Sequence, residues 1–338
     1  METRLFDITA LDEQGMADLR EAADILRKGG LVAFPTETVY GLGADALNPV
    51  AVASIFQAKG RPADNPLIVH IADPTKMKEL ASSVPARAEQ LAAAFWPGPL
   101  TLVLPKKESV PAVTTGGLDT VAIRMPDDPV ALALIELAGC PIAAPSANRS
   151  GQPSPTKGEH VVRDMDGRID AILRSWDCEV GIESTVLDLT EEVPIILRPG
   201  IVTPEEISQV LGVPVEIDRA IRETESESLL TPKSPGTKYA HYAPKAEMLV
   251  LRGPANRIRQ KMDEITKERQ ERGETVGRIL FEETGYREAA RDFFSRLREM
   301  DDRGVDLILA AALDESHSLG YAVMNRMLKS AGYHVLDV

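Results

Sequence analysis

Apolar runs of strand length alternate with segments of helical period along the first two hundred residues. Such alternation is typical of an α/β domain, in which buried strands are joined by helices. Leu19, Ala22 and Leu26 fall on one face of the first helical segment, residues 16–28, and Gly29 favours its end. The further predicted helices are 50–59, 86–94, 129–138 and 156–164. The predicted strands are 31–34, 67–70, 100–104, 121–125, 142–144, 171–173, 186–189 and 195–197.

The pattern weakens between residues 211 and 245, where the stretch 223–235 is rich in Glu, Ser, Thr and Pro, as solvated linkers are. A chain of 338 residues also exceeds the size, roughly 250 to 300 residues, at which single cores stop growing. We therefore predict a first domain over 1–210, a linker over 211–245 and a smaller, Rossmann-like α/β domain over 246–338. Its predicted strands are 248–252, 276–281 and 305–310, and its predicted helices are 255–272, 287–302 and 319–330.

Charge and cysteine usage argue against several classes of function. A net charge of −14 disfavours an electrostatic grip on nucleic acid, so any tRNA contact should be weak and local. Cys140 and Cys178 stand neither in a CxxC pair nor beside histidines, and the five histidines show no ligand spacing. No protein-bound metal site and no redox dithiol is therefore expected.

The chain shows no sign of a membrane segment. Its longest apolar stretches, such as residues 132–138 and 305–313, are far shorter than the roughly 20 residues that span a bilayer. The first 20 residues are acidic, whereas a secretory signal begins with basic residues and continues into an apolar run. A cytosolic location is predicted.

Four loops combine rigid Pro or Gly with short polar side chains, and they cover residues 35–43, 59–66, 145–151 and 234–242. Ligands of α/β folds bind on such loops, outside the strand ends. In the first loop, Thr36, Glu37 and Thr38 are candidates for hydrogen bonds to a small polar ligand, and a solvated turn is the alternative.

The same loop contains GLGADA, residues 41–46, which fits the permissive dinucleotide pattern GxGxxA. A nicotinamide site is a weak interpretation, because the helix that should follow begins only near Asn48, and the candidate acidic residue, Asp64, lies in a loop. A plain tight turn is favoured at 41–46. Neither a P-loop motif nor a GxSxG nucleophile motif occurs in the chain.

Three cations stand at the ends of predicted elements. Lys59 and Arg61 close a helical segment and precede a proline-stiffened loop, where they would meet phosphates or simply complement the helix dipole. Arg124 closes an apolar strand, which suits a carboxylate-binding role or a buried structural ion pair. The residues by themselves leave these alternatives open.

Ser146 and Asn148 follow the apolar run 141–144 directly, so they should emerge at the carboxyl end of a strand. Gly151 is close behind, and a nest of backbone amides there would bind phosphate. His70 ends another predicted strand, where a single histidine is more often a core residue than a ligand.

Eight segments, taken together and in this order, resemble the YrdC-like family, in its long form with an extra C-terminal domain. The segments are PTETVYGLG (35–43), KGRPADNPLIVHI (59–71), FWPGPLTLVL (95–104), VAIRMP (121–126), PIAAPSANRSGQPSPT (141–156), GIESTV (181–186), RPG (198–200) and SPGTKYAHYAP (234–244). The resemblance spans nearly the whole chain. It implies a twisted, open α/β sheet whose cavity holds ATP and L-threonine together.

The resemblance also assigns site residues. Those matching threonine contacts are Thr38, His70, Arg124, Ala144 and Ser184. Those matching the nucleotide and phosphate site are Lys59, Arg61, Asn65, Thr120, Ser146, Asn148, Ser154 and Arg198. Tyr242 matches a linker tyrosine that closes over the nucleotide, so the segment 234–242 is expected to act as a lid.

The family implies synthesis of threonylcarbamoyl-AMP and pyrophosphate from L-threonine, bicarbonate and ATP, with Mg²⁺ accompanying ATP. Lys59, Arg61, Ser146 and Asn148 are the expected catalytic residues, which position and stabilise charge. The product should pass to a separate transferase that modifies tRNA adenosine beside the anticodon. Two alternatives stay open: a non-catalytic RNA-binding module, and a carbamoyl transfer like that of hydrogenase-maturation proteins, which carry additional acylphosphatase and zinc-finger modules.

Overall fold

A computed structural model describes residues 2–222, 242–282 and 284–338. The described residues form two compact units. The first combines the chain up to Ser150 with the stretch that starts at Pro155, and the second combines Gly151–Ser154 with the C-terminal residues. The first eight residues of the expected lid, 234–241, lie outside the described residues.

The strands of the first unit form one mixed sheet, which has eleven strands within the described residues. They are Arg4–Asp7 (β1), Val32–Phe34 (β2), Gly41–Asp45 (β3), Ile68–His70 (β4), Leu100–Pro105 (β5), Thr120–Arg124 (β6), Ile142–Ala143 (β7), Ala171–Arg174 (β8), Thr185–Asp188 (β9), Ile195–Arg198 (β10) and Glu216–Ile217 (β11). Their order is β1-β8-β2-β3-β7-β4-β6-β5-β9-β10-β11. The predicted mixed α/β class is confirmed.

Five helices of the first unit match the predicted segments to within three residues at each end, whereas those at Met77–Leu80, Pro204–Leu211 and Arg219–Arg222 were not predicted. The helices of this unit are Glu13–Arg27 (α1), Pro49–Lys59 (α2), Met77–Leu80 (α3), Ala86–Phe95 (α4), Pro129–Ala138 (α5), Gly158–Met165 (α6), Pro204–Leu211 (α7) and Arg219–Arg222 (α8), with a 3₁₀ turn at Pro74–Lys76. The side chains of Asn48 and Asp128 cap α2 and α5, each followed by a proline at the first helical position. Among the described residues, no helix is both long and apolar enough to cross a membrane.

Two apolar clusters cover opposite faces of the first half of this sheet. Val32 and Phe34 of β2 pack with α1 and α5, whereas Ala33 between them joins the larger cluster on the other face. Successive side chains of a strand point to opposite faces, so β2 is buried on both. The short apolar run 31–34 therefore signals a central strand.

The segment Gly41–Asp45 is a strand, and its interpretation as a tight turn is wrong. Gly43 pairs with Val32 of the neighbouring strand, and a Cβ atom at Gly43 would lie 2.8 Å from Ile142 Cγ2 and 2.9 Å from Phe34 Cε1. Glycine is needed here for the close approach of neighbouring side chains, not for a turn. The dinucleotide interpretation of GLGADA falls with it, because these glycines lie within a sheet instead of opening a helix.

The second unit is a smaller parallel α/β structure. Its strands are Glu247–Arg252 (β12), Val276–Ile279 (β13), Leu307–Ala311 (β14) and Val335–Asp337 (β15), and its helices are Ala255–Glu271 (α9), Tyr286–Arg303 (α10) and Ser318–Ser330 (α11). All strand pairs are parallel, in the order β13-β14-β12-β15. With β12 counted as strand 1, this order is 2-3-1-4, whereas dinucleotide-binding folds have the order 3-2-1-4. The second unit therefore shares with a Rossmann unit its layers of helix and parallel sheet, but not its strand order.

Two boundaries differ from the sequence division. The short strand β11 pairs in parallel with β10, so the first sheet extends beyond residue 210. Residues 151–154, which lie inside the predicted first domain, belong to the second unit. Both differences come from pairings between residues far apart in the chain, which local periodicity does not report.

Candidate active site

The centre of the candidate site is the strand pair β4 and β6. These strands run parallel and bring His70 opposite Arg124 at their carboxyl ends, while Ile68 lies opposite Ala122. Because side chains alternate along a strand, the two polar residues share a face with the two apolar ones. Five apolar side chains form a small cluster on this face: Ile68, Val103, Ala122, Val186 and Leu197. These five side chains form the apolar floor of the candidate site, and the polar groups of His70 and Arg124 lie beside it at the strand ends.

Arg124 is buried, with 3% of its surface exposed, and is held from three directions. Its Nη1 donates to Thr38 Oγ1 at 2.9 Å and its Nε donates to the Gly98 carbonyl at 3.2 Å. Its Nη2 forms an ion pair with Glu37 Oε2. A guanidinium has five N–H groups, so each terminal nitrogen keeps one more donor. Arg124 therefore forms a structural ion pair with Glu37 and is also a candidate to bind the carboxylate of a substrate.

The loop between β2 and β3 is fixed by Thr36. Its hydroxyl donates to the Val39 carbonyl at 2.6 Å and lies 2.8 Å from Thr38 Oγ1. The backbone N–H groups of Thr38 and Val39 both lie 3.2 Å from the Thr36 oxygen. Thr36, Glu37 and Thr38 are all buried, so the solvated-turn interpretation is wrong. Glu37, absent from the residues that the resemblance assigns, is part of this site.

His70 lies in an apolar surrounding next to Arg124. It is 4% exposed, and its ring meets Phe34 edge to face at 6.0 Å. Burial and, after it, the charge of Arg124 lower the pKa of His70 to about 3, so the ring is neutral at pH 7. Within the described part of the chain, its Nδ1 atom is buried with no hydrogen-bond partner. A neutral imidazole with an unused nitrogen can bind a substrate hydroxyl or amine.

Ser184 and Arg198 meet at the ends of β9 and β10. Arg198 donates from Nε to the Ser184 carbonyl and from Nη2 to Ser184 Oγ, both at 3.0 Å. The Ser184 hydroxyl lies 2.8 Å from Thr101 Oγ1 on β5. The structure thus joins Ser184, which is predicted to contact L-threonine, to Arg198, which is predicted to contact the nucleotide. Thr101 was missed, because a threonine inside a strand-forming run carries no signal of a site.

Lys59, the last residue of α2, reaches into the loop that follows β7. Its Nζ donates to the carbonyl of Ser146, to the carbonyl of Asn148 at 2.7 Å and to Asn148 Oδ1 at 3.5 Å. Three N–H donors of an ammonium thus face three loop acceptors. The structure brings Lys59, Ser146 and Asn148 together, as expected, and adds that Lys59 stabilises this loop. Ala144, between β7 and the loop, donates its N–H to the Ile68 carbonyl at 2.9 Å.

The other predicted nucleotide residues lie around the opposite ends of β4 and β6. Thr120 is the first residue of β6, four residues before Arg124, which corresponds to about 13 Å along a strand. Asn65 precedes β4 and is fully buried, and within the described residues its amide nitrogen and oxygen have no partner. Arg61 is half-buried, with its guanidinium 6.0 Å from the ring centre of Phe56. An unsatisfied buried amide is costly unless a ligand pairs with it.

Ser154 and Tyr242 belong to the second unit. Ser154 is fully buried, and the neighbouring Pro153 carbonyl accepts a hydrogen bond from Arg298 Nη2 at 2.6 Å. Tyr242 is 6% exposed and packs on Phe294, with 5.0 Å between ring centres. Their assignment to the nucleotide stays a prediction, as does the lid.

Two family models match this chain. One, described as "Telomere recombination" and covering Sua5, YciO and YrdC proteins, matches residues 24–200. The other, described as "Threonylcarbamoyl-AMP synthase, C-terminal domain", matches residues 202–332. Together the two matches cover most of both units.

Full-length relatives carry the same two parts. The threonylcarbamoyl-AMP synthase of Pyrococcus abyssi is 51% identical over 330 residues, which cover 95% of this chain and 96% of that relative. The Bacillus subtilis threonylcarbamoyl-AMP synthase is 43% identical over 355 residues, with coverages of 99% and 100%. The crystal structure of P. abyssi Sua5 complexed with L-threonine has a TM-score of 0.93 at 49% identity, covering 99% of this chain and 100% of that one.

Proposed function

This chain belongs to the family of Sua5, YciO and YrdC proteins, in the form that carries the C-terminal domain of threonylcarbamoyl-AMP synthases, and from this premise we propose how its first unit makes threonylcarbamoyl-AMP. The reaction joins L-threonine, bicarbonate and ATP. The observation that carries our assignment of parts is the pairing of His70 with Arg124 at one end of β4 and β6, with Asn65 and Thr120 at the other.

L-Threonine binds at the carboxyl ends of β4 and β6. Its carboxylate accepts hydrogen bonds from the two remaining N–H groups of Arg124, whose orientation is already set by Glu37, Thr38 and Gly98. The neutral ring of His70 binds the side-chain hydroxyl. Because these groups are buried and held in place before substrate arrives, little ordering cost remains at the moment of binding.

ATP binds along the apolar floor toward the loop 145–151. Its phosphates lie near Lys59 and Arg61 and near the amides and hydroxyls of the Ser146–Asn148 loop, and Arg198 extends this set of donors toward the amino-acid end. The donors gathered here are cations, hydroxyls and amides, so the set suits a triphosphate that arrives with Mg²⁺ on its own phosphate oxygens. When bound, Mg²⁺ neutralises charge on the leaving pyrophosphate.

Two steps balance the reaction. The α-ammonium of L-threonine first loses a proton, and the resulting amine reacts with bicarbonate to give a carbamate and water. A carbamate oxygen then attacks the α-phosphorus of ATP, the bond to the β-phosphate breaks, and pyrophosphate leaves. Neither step needs a covalent bond to the protein, so the side chains contribute positioning and charge stabilisation.

The test is conversion of ATP to AMP and pyrophosphate by the purified full chain. Release of pyrophosphate should require both L-threonine and bicarbonate, and serine or valine should replace threonine poorly. ATP consumption that continues undiminished without threonine or bicarbonate contradicts the proposed reaction.

The product is an activated intermediate, and we propose that a separate transferase takes it for modification of tRNA adenosine beside the anticodon. The acidity of the chain favours this division of labour over direct, tight tRNA binding. A steep salt dependence of tRNA affinity, combined with no threonine-dependent ATP consumption, would instead support the RNA-binding alternative. Deletion of residues 234–242 tests the lid, because full turnover without them contradicts it.

A further inference from the structure

Glu37 contains a buried carboxylate oxygen that the reaction described above does not use. The side chain is 8% exposed, and its Oε2 atom accepts the hydrogen bond from Arg124. Its Oε1 atom is buried and has no partner within the described residues. A buried charged acceptor without a partner costs free energy, which a ligand that donates to it would recover.

The surroundings of Glu37 favour a cation as that ligand. The carboxyl group of Asp127 interacts electrostatically with Glu37, Glu179 and the cation Arg124. That of Asp128 interacts with Glu37. Burial raises the pKa of Asp127, and the negative charges of Glu37 and Glu179 raise it further. The charges that act on Asp127 thus include two carboxylates, Glu37 and Glu179, against the cation Arg124, so a further positive charge would be favourable there.

The substrate of the proposed function brings such a group. In a free amino acid the α-ammonium and the α-carboxylate share one carbon atom, so both charges lie within a few ångströms of each other. Arg124 is assigned to the carboxylate, and Glu37 is in direct contact with Arg124. A carboxylate bound at Arg124 therefore places the ammonium within reach of the neighbouring Glu37.

We propose that Glu37 Oε1 accepts a hydrogen bond from the α-ammonium of L-threonine, so that Glu37 and Arg124 together select a free α-amino acid. This inference rests on the proposed function, and it adds a specificity-determining residue to it. The ion pair thus orients Arg124 and also recognises the second charge of the substrate. Carboxylic acids that lack the amine, or in which the amine is acylated, should bind poorly.

The experiment compares two ligands by isothermal titration calorimetry on the full chain. (R)-3-Hydroxybutyrate has the carboxylate, hydroxyl and methyl groups of L-threonine but no amine, and it is titrated directly or by competition. The wild-type protein should bind L-threonine at least tenfold more tightly than (R)-3-hydroxybutyrate. Glu37→Gln, which has the same shape and keeps an oxygen for Arg124, should weaken L-threonine binding at least tenfold. It should change (R)-3-hydroxybutyrate binding less than twofold.

The matched control is Glu108→Gln, which removes an exposed carboxylate elsewhere in the first unit and should leave both affinities unchanged. Equal weakening of both ligands by Glu37→Gln would mean that Glu37 only holds Arg124, and this would overturn the inference. Unchanged affinities would overturn it as well. Equal affinity of the wild-type protein for both ligands would do so without any variant. Failure of the wild-type protein to bind L-threonine at all would overturn the proposed function itself, which distinguishes the two failures.

Discussion

Two cations of the candidate site, Arg124 and Lys59, are both nearly inaccessible to solvent but are held in different ways. Arg124 is oriented by side chains, the carboxylate of Glu37 and the hydroxyl of Thr38, together with one backbone carbonyl. Lys59 is bound mainly by backbone carbonyls of the loop that follows β7. One cation is positioned by a charged neighbour, whereas the other positions a loop.

This difference predicts different consequences of substitution. Removing Arg124 leaves the buried carboxylate of Glu37 without its ion-pair partner. The amino-acid end of the site also loses the group to which we assign the substrate carboxylate. Removing Lys59 takes away the ammonium that donates to the carbonyls of Ser146 and Asn148 and so loosens their loop, while the amino-acid end keeps its contacts. The two ends of the site should therefore fail separately.

Arg124→Lys should have the largest effect. A single ammonium cannot replace three directed contacts and still offer two donors to a carboxylate, so kcat/KM for L-threonine should fall about a thousandfold, or about 4 kcal/mol. Pyrophosphate release measures it. The same substitution at the exposed Arg20 of α1 is the control and should leave the rate unchanged. A fall of less than tenfold would remove Arg124 from carboxylate recognition.

Lys59→Met should lower turnover about a hundredfold, or about 2.7 kcal/mol, because the loop to which we assign the phosphates loses its contacts with the ammonium. The separation of the two ends predicts that L-threonine affinity without ATP stays within twofold of the wild-type value. Calorimetry with L-threonine and steady-state rates with ATP measure the two quantities. Lys28→Met, at an exposed position, is the control. Equal loss of threonine affinity would show that the two ends are not separate.

His70 should make the stability of the first unit depend on pH. Its pKa of about 3 in the folded chain lies below its ordinary value of 6.5, so the unfolded chain binds a proton that the folded chain does not. Stability is therefore complete above pH 6.5 and falls as the pH decreases through the window toward 3, by at most about 1.4 kcal/mol per pH unit.

The measurement is the free energy of unfolding by urea between pH 7.5 and 5. His70→Asn should reduce the slope with pH, whereas the same change at the exposed His317 should not. An unchanged slope in His70→Asn would mean that the folded chain accommodates the protonated ring.

Thr38→Val should have the smallest effect. It removes one of the three contacts of Arg124 but preserves the ion pair with Glu37, so KM for L-threonine should rise about fivefold, equal to about 1 kcal/mol. KM for ATP should not change, because Thr38 contacts Arg124 at the amino-acid end of the site and not the nucleotide residues at the other end. The control is Thr190→Val, since that hydroxyl also bonds a charged side chain, the carboxylate of Asp188 at the end of β9. A larger effect than that of Arg124→Lys would reverse the proposed importance of the two residues.

Local signals predicted helices better than short strands. Asn48 followed by Pro49 marked the start of α2, and Gly29 marked the end of α1, because caps and left-handed ends depend on neighbouring residues only. β3 was mistaken for a turn, because its glycines reflect close packing against Phe34, which is close in space and separate in sequence. β1 and β15 at the edges of their sheets were not predicted.

The candidate site shows the same limit. Arg124, Lys59, Ser146 and Asn148 could be chosen from the sequence because each interrupts or follows an apolar run at an element's end. Glu37 stood in a loop that was itself identified, yet nothing local distinguished it from its neighbours. Its importance follows from the ion pair with Arg124, 87 positions away in the chain.

The sequence by itself determined the two α/β parts, most of their elements and, through its motifs, the family and the expected ligands. Only the tertiary structure decided which residues meet at each end of the β4–β6 pair, that Lys59 binds a loop, and that Glu37 faces Arg124. The physical reason is that hydrophobic period, capping and turn preference act over a few residues. Strand register and buried charge pairing, in contrast, depend on contacts between segments that only folding brings together.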